Sequence, residues 1–168
     1  KGADDVALIT MININTLGNA TTFGDAVAGN GHNSSSTGGS TTRGFLLGSG
    51  ATGDTDKDTY TSIELASQGN AANFGDMTTG RYAGASVSSA TGSTLPAKSN
   101  VIDYITIASA GDATDFGNLS AAKTGFCGVS SSVRGVMGGG STPGKINIME
   151  YVTIASTGDV TDFGDMTI

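Results

Sequence analysis

The sequence predicts an all-β fold, a propeller-like repeat of antiparallel strands about three and a half units long. Three observations predict it. An eight-residue pattern occurs four times without gaps: GNATTFGD (18–25), GNAANFGD (69–76), GDATDFGN (111–118) and GDVTDFGD (158–165). Each copy follows a run rich in β-branched residues, the kind that strands select. The phenylalanines Phe23, Phe74, Phe116 and Phe163 are 51, 42 and 47 residues apart, close to the length of one propeller blade. No segment sustains a helical period.

The strand runs cover 8–16, 59–67, 101–109 and 148–156. One aligned column holds Ile12, Ile63, Ile105 and Val152, and the column two residues later holds Ile14, Leu65, Ile107 and Ile154. A spacing of two places both columns on one strand face, which is expected to be packed. The opposite face is mixed: Met11, Ser62, Tyr104 and Tyr151, then Asn13, Glu64, Thr106 and Thr153.

Each run ends in Gly followed by Asn or Asp, residues that favour turns through free φ and side-chain-to-backbone bonding. The Phe-Gly pair is expected to close that turn. All four Phe side chains are then buried at equivalent places. Between these halves lies a second half-unit, clearest in RGFLLGSG (43–50) and RGVMGGG (134–140), with GFCGVSSS (125–132) as a partner strand. The middle unit has GRYAGASV (80–87) in that region. Loops are expected at 48–58, 90–100 and 138–147. The whole is read as a single domain, 1–168, with repeats at 1–25 (partial), 26–76, 77–118 and 119–168.

Out of context, Asp-Phe-Gly is the magnesium-binding triplet of protein kinases. Here the residue before Phe is Thr22, Asn73, Asp115 and Asp162 in turn, and a metal ligand does not vary that way between copies. The glycine-rich phosphate loop and the His-Arg-Asp loop of kinases are missing too. Turn chemistry explains these residues better.

Composition excludes further classes. Charged residues make up 14% of the 168, and the net charge is −7. So acidic a chain is unsuited to nucleic-acid backbones or anionic membranes. One cysteine, Cys127, rules out an intrachain disulfide framework and is expected to be a small buried residue. No apolar stretch is long enough for a bilayer, and no signal-peptide pattern is visible. The numbering opens on Lys1 rather than Met, which points to a trimmed N-terminus or an excerpt of a longer chain.

Candidate chemistry is sparse. His32 sits alone in the turn-forming stretch GNGHN (29–33). Glu64 and Glu150 fall on strands, which gives no argument for a glycosidase pair. No nucleophile elbow occurs, and no catalytic residue is assigned. The one metal candidate is DTDKD (54–58), where Asp54, Asp56 and Asp58 alternate like the opening of a calcium loop. Thr59 then stands where the loop glycine belongs and Leu65 where its glutamate belongs, so a low-affinity calcium site is the most this segment predicts. Sugar platforms are poorly supplied: there is no Trp, and Tyr60, Tyr82, Tyr104 and Tyr151 fall mostly on strands.

The order of strands carries a resemblance. An arginine-led strand, an apolar strand ending in Gly-Gly (134–140) and a strand such as NVIDY (100–104) or NIMEY (147–151) resemble the kelch repeat. Phe116 and Phe163 stand where kelch units usually carry Trp. More narrowly, 101–118 and 148–165, and more weakly 8–25, resemble a repeat of virion structural and tail-fibre-like proteins of marine tailed phages, cyanophages especially. That resemblance implies a kelch-like β-propeller in a non-enzymatic virion protein exposed on the particle surface, as tail fibre, capsid decoration or other appendage. It implies other virion subunits as partners and a host receptor or surface glycan as ligand, and it transfers no catalytic residue and no cofactor. The alternative is a secreted kelch-like carbohydrate-binding or carbohydrate-active protein, hence extracellular.

The chain opens and closes on the same half-unit, so its end strands lack neighbours. Low-charge edge strands of this kind pair with other chains. The first strand (about 6–14) or the last (about 151–168) is therefore expected to bond to another subunit or a further segment, giving a homo-oligomer or strand exchange.

Overall fold

The computed structural model describes residues 8–27, 36–47, 58–79, 87–88, 92–95 and 99–167. Among the described residues every regular element is a strand, and the paired strands run antiparallel. β1 (Leu8–Met11) and β2 (Thr21–Asp25) form a two-stranded sheet. Next come β3 (Ser36–Gly39), β4 (Arg43–Leu47), β5 (Thr59–Glu64) and β6 (Ala72–Asp76), a four-stranded sheet in chain order. β7 (Val87–Ser88), β8 (Gly92–Leu95), β9 (Val101–Thr106) and β10 (Thr114–Asn118) repeat that meander. The last sheet joins β11 (Cys127–Ser130) and β12 (Arg134–Gly138) to a final pair of strands, after the small hairpin of β13 (Ser141–Thr142) and β14 (Gly144–Lys145). That final pair is β15 (Ile148–Thr153) and β16 (Thr161–Asp165).

The four recurrent runs are strands, but they stop sooner than their composition suggests. In each unit a tight turn follows, with Thr16, Ser67, Ser109 and Ser156 donating their N–H to Asn13, Glu64, Thr106 and Thr153 at 3.2–3.4 Å. The Phe-Gly pair belongs to no turn. It lies inside β2, β6, β10 and β16, where the pairing register skips one residue, and the skipped residue is the phenylalanine. A bulge of this kind bends the strand and re-aims one side chain. Here it turns Phe74 and Phe116 into the cores shared with the following sheets.

Two regions expected to be loops contain strands. β8 lies within 90–100, and the β13–β14 hairpin lies within 138–147. β8 reads Gly-Ser-Thr-Leu, too polar to stand out, yet it pairs with β9 over its whole length. The stretch 80–86 is outside the described residues.

The cores lie between successive sheets. Phe45, Tyr60, Phe74 and Met77 of the second sheet pack with Ile105 and Ile107 of the third, and Ala113 flanks them. Ile102, Phe116 and Leu119 pack with Phe126, Met137 and Val152 of the fourth, flanked by Tyr104 and Val160. Each such side chain contributes roughly 1.5–3 kcal/mol by leaving water. The expectation of equivalent burial holds for Phe23, Phe74 and Phe116 and fails for Phe163, which is 49% exposed. Ile12, Ile14 and Leu65 are exposed as well, against the reading of their columns as uniformly packed. For Phe163, Ile12 and Ile14 the cause is position: Phe163 has no following sheet among the described residues, and Ile12 and Ile14 have no preceding one.

Candidate functional site: the junctions between repeats

The eight-residue pattern builds a junction that recurs three times. Phe23 O accepts the Gly69 N–H at 3.0 Å, and Asp25 O accepts the Ala71 N–H at 2.7 Å. Phe74 and Asp76 receive Gly111 and Ala113 at 2.8 Å each, and Phe116 and Asn118 receive Gly158 and Val160 at 2.7 and 2.9 Å. The outer edge of each Phe-Gly strand is thus closed by the opening residues of the next copy. Closing an edge satisfies its backbone groups and removes a site of unwanted pairing.

The Asn or Asp of each copy completes the clasp. Asn70 Oδ1 accepts the Asp25 N–H at 2.9 Å, Asp112 Oδ1 the Asp76 N–H at 3.1 Å, and Asp159 Oδ1 the Asn118 N–H at 2.8 Å. The residue before Phe has a local task. Asn73, Asp115 and Asp162 accept the N–H of the glycine two residues on, at 3.2, 3.1 and 2.9 Å. In DFGD the first Asp therefore braces the bulge.

The junctions carry a polar column too. Thr61, Asp103 and Glu150 occupy one aligned position and are almost fully buried. Asp103 accepts the Thr78 N–H at 3.2 Å and the Thr78 hydroxyl at 2.6 Å. Glu150 accepts the Ser120 N–H at 3.2 Å and pairs with the buried Lys123 ammonium. Thr78 and Ser120 each stand four residues beyond a junction phenylalanine. Both acids therefore tie their strand to the segment that follows the preceding Phe-Gly strand, and their hydrogen bonds offset the cost of burial. Sequence reasoning placed Glu150 on a strand but missed Lys123. The signal was an acid among apolar residues in a chain so poor in charge.

Between the second and third sheets the junction opens as a cleft of about 480 Å³, lined by Ser40, Thr41, Thr42, Arg43, Glu64, Thr106, Ile107 and Ala108. Ser40 Oγ accepts the N–H groups of Thr42 and Arg43, both at 3.2 Å, and so shapes the β3–β4 turn. Ser131 does the same for Val133 and Arg134, at 3.1 Å each. Arg43 pairs with Glu64, donates to Ile107 O at 2.9 Å and stacks 5.5 Å above the Phe74 ring. Arg134, the equivalent arginine of the fourth sheet, lies 4.4 Å over the Tyr151 ring instead. The cleft offers hydroxyls and one charge pair to a polar ligand, but no aromatic platform.

Tyr60, at the other end of β5 from Glu64, is fully buried and donates its hydroxyl hydrogen to Gly111 O. Burial first, then the charges of Asp112, Asp76 and Asp103, push its pKa up to about 12.

Other candidates fall elsewhere. Asp54, Asp56, His32 and Tyr82 lie outside the described residues. Asp58 uses its backbone carbonyl to accept the Met77 N–H at 2.7 Å. Among the described residues no three His, Cys, Asp or Glu side chains converge as a metal centre. Glu64 and Glu150 have separate partners, Arg43 and Lys123. Cys127, on β11, is exposed, against the expectation of burial. No known protein-family model matches the chain, and no curated protein matches it either.

Proposed function

We propose that the chain is a non-enzymatic structural module of a tailed-phage virion, built as consecutive blades of a kelch-like β-propeller and displayed on the particle surface. The observation that carries this reading is the junction. At all three junctions its backbone groups and the Asn or Asp after the opening glycine join one unit to the next, while Asn73, Asp115 and Asp162 brace the bulge. Side chains that would suggest chemistry in isolation are already committed to the scaffold. Four-stranded meanders that pack on their neighbours fit blades. The resemblance of 101–118 and 148–165 to phage virion repeats supplies the setting. Host-surface glycan is the ligand class suited to the hydroxyl-lined cleft at Arg43 and Glu64.

Two experiments test the proposal. Antibodies to the chain should decorate intact phage particles in immunogold electron microscopy; particles that never label would refute the virion assignment. A glycan array with the purified chain separates receptor recognition, read as reproducible binding lost in Arg43→Ala, from scaffolding alone.

A further inference from the structure

The two ends of the chain present the two halves of one more junction. At the C-terminal end, Phe163 is 49% and Met166 37% exposed, while the equivalent Phe74 and Met77 are each 5% exposed. Around Gly164 the space is open within 4 Å, whereas the equivalent Gly24, Gly75 and Gly117 each touch the carbonyl of the next copy's first glycine. At the N-terminal end, Ile12 and Ile14 are 67% and 88% exposed, while Ile105 and Ile107, their equivalents, are buried against Phe74 and Met77. A cleft of about 510 Å³ lies there, lined by Met11, Ile12, Asn13, Ile14, Gly18 and Asn19 among others.

The halves match residue for residue. Phe and Met at one end would meet Ile and Ile at the other, the set that forms the core between the second and third sheets. Gly18-Asn19-Ala20 repeats the tripeptide Gly69-Asn70-Ala71, which already closes the edge beside Phe23 and Asp25. We infer that the Phe163–Asp165 edge docks the Gly18–Ala20 segment of a second copy of this chain, head to tail. In that contact Phe163 O and Asp165 O accept the N–H groups of Gly18 and Ala20, and Asn19 Oδ1 accepts the Asp165 N–H. The surface used on one copy differs from that on the other, so the contact propagates until it closes a ring or continues as a filament. It deepens the reading of the chain as a building block, yet it rests on the junction geometry alone. Unlabelled phage particles would remove the virion setting and leave this contact standing.

The test is sedimentation velocity of the full chain across micromolar concentrations. The wild type should form species heavier than 16.6 kDa that grow with concentration. Ile14→Asp alters a side chain already in water, so the monomer folds, and association should weaken about tenfold or more. Asn19→Ala should weaken it about fivefold, the loss of one hydrogen bond. Ala110→Asp, in the exposed turn after β9 on the third sheet and so at neither end, should leave it unchanged. A wild type that stays at monomer mass throughout overturns the inference, whatever else covers Phe163. So does association that survives both Ile14→Asp and Asn19→Ala.

Discussion

The Gly69 carbonyl oxygen occupies the place where a β-carbon on Gly24 would stand. The same holds for Gly111 against Gly75 and for Gly158 against Gly117. The glycine of Phe-Gly is thus set by a neighbour one repeat away, and the glycine that opens the next copy supplies the obstacle.

Gly75→Ala should therefore destabilise the protein by roughly 1–3 kcal/mol, the usual cost of overpacking. Gly69→Ala is the control: its added carbon would meet nothing within 4 Å. Urea denaturation followed by circular dichroism should separate the two clearly, with Gly69→Ala close to wild type.

Phe116→Ala should cost about 3–5 kcal/mol, because the ring is buried in the core between the third and fourth sheets. Phe163→Ala should cost much less in the monomer, since half of its surface is already exposed. Equal losses in thermal denaturation of the two variants would contradict the placement of Phe163 at an open face.

Glu150→Gln leaves the buried Lys123 without its counter-charge and should cost about 3–5 kcal/mol. The double variant Lys123→Met with Glu150→Gln removes the stranded charge and keeps an acceptor for the Ser120 N–H. It should recover most of the loss in the same denaturation assay.

The buried hydroxyl of Tyr60 gives an alkaline limit. Its pKa is raised from 10.0 to about 12, so the neutral form contributes fully below pH 10 and the contribution is lost as pH rises toward 12. Tyr60→Phe should flatten the fall in stability across that window. At neutral pH it should cost about 1 kcal/mol, from the lost bond to Gly111 O. A wild-type curve that is already flat from pH 10 to 12 would rule out burial of this hydroxyl.

Much of the local structure was legible because it is written in adjacent residues. The strand runs before each Gly-Asn or Gly-Asp announce themselves through β-branching, and the four phenylalanines through their common neighbours. The rest depends on partners distant in sequence. Asn70 reads as a turn residue, but its oxygen serves Asp25 in the previous repeat. Phe116 reads as part of a turn, because a bulge in β10 is visible only once Asp115 and Gly117 are paired with Asp103 and Ile102. β8 carries no apolar signal of its own, and its pairing with β9 defines it. Exposure of Cys127 beside the buried Phe126 depends on which way each residue faces, which composition does not encode.

The distance from one phenylalanine to the next varies from 42 to 51 residues, yet the two backbone bonds and the Asx bond recur in the same register at each junction. Length is therefore free to change between junctions while the docking grammar stays fixed. Stability in such a chain is a nearest-neighbour quantity: a substitution alters its own unit and the unit it touches, and the next one along does not feel it. A surface of this kind can be rewritten segment by segment without renegotiating the architecture that displays it.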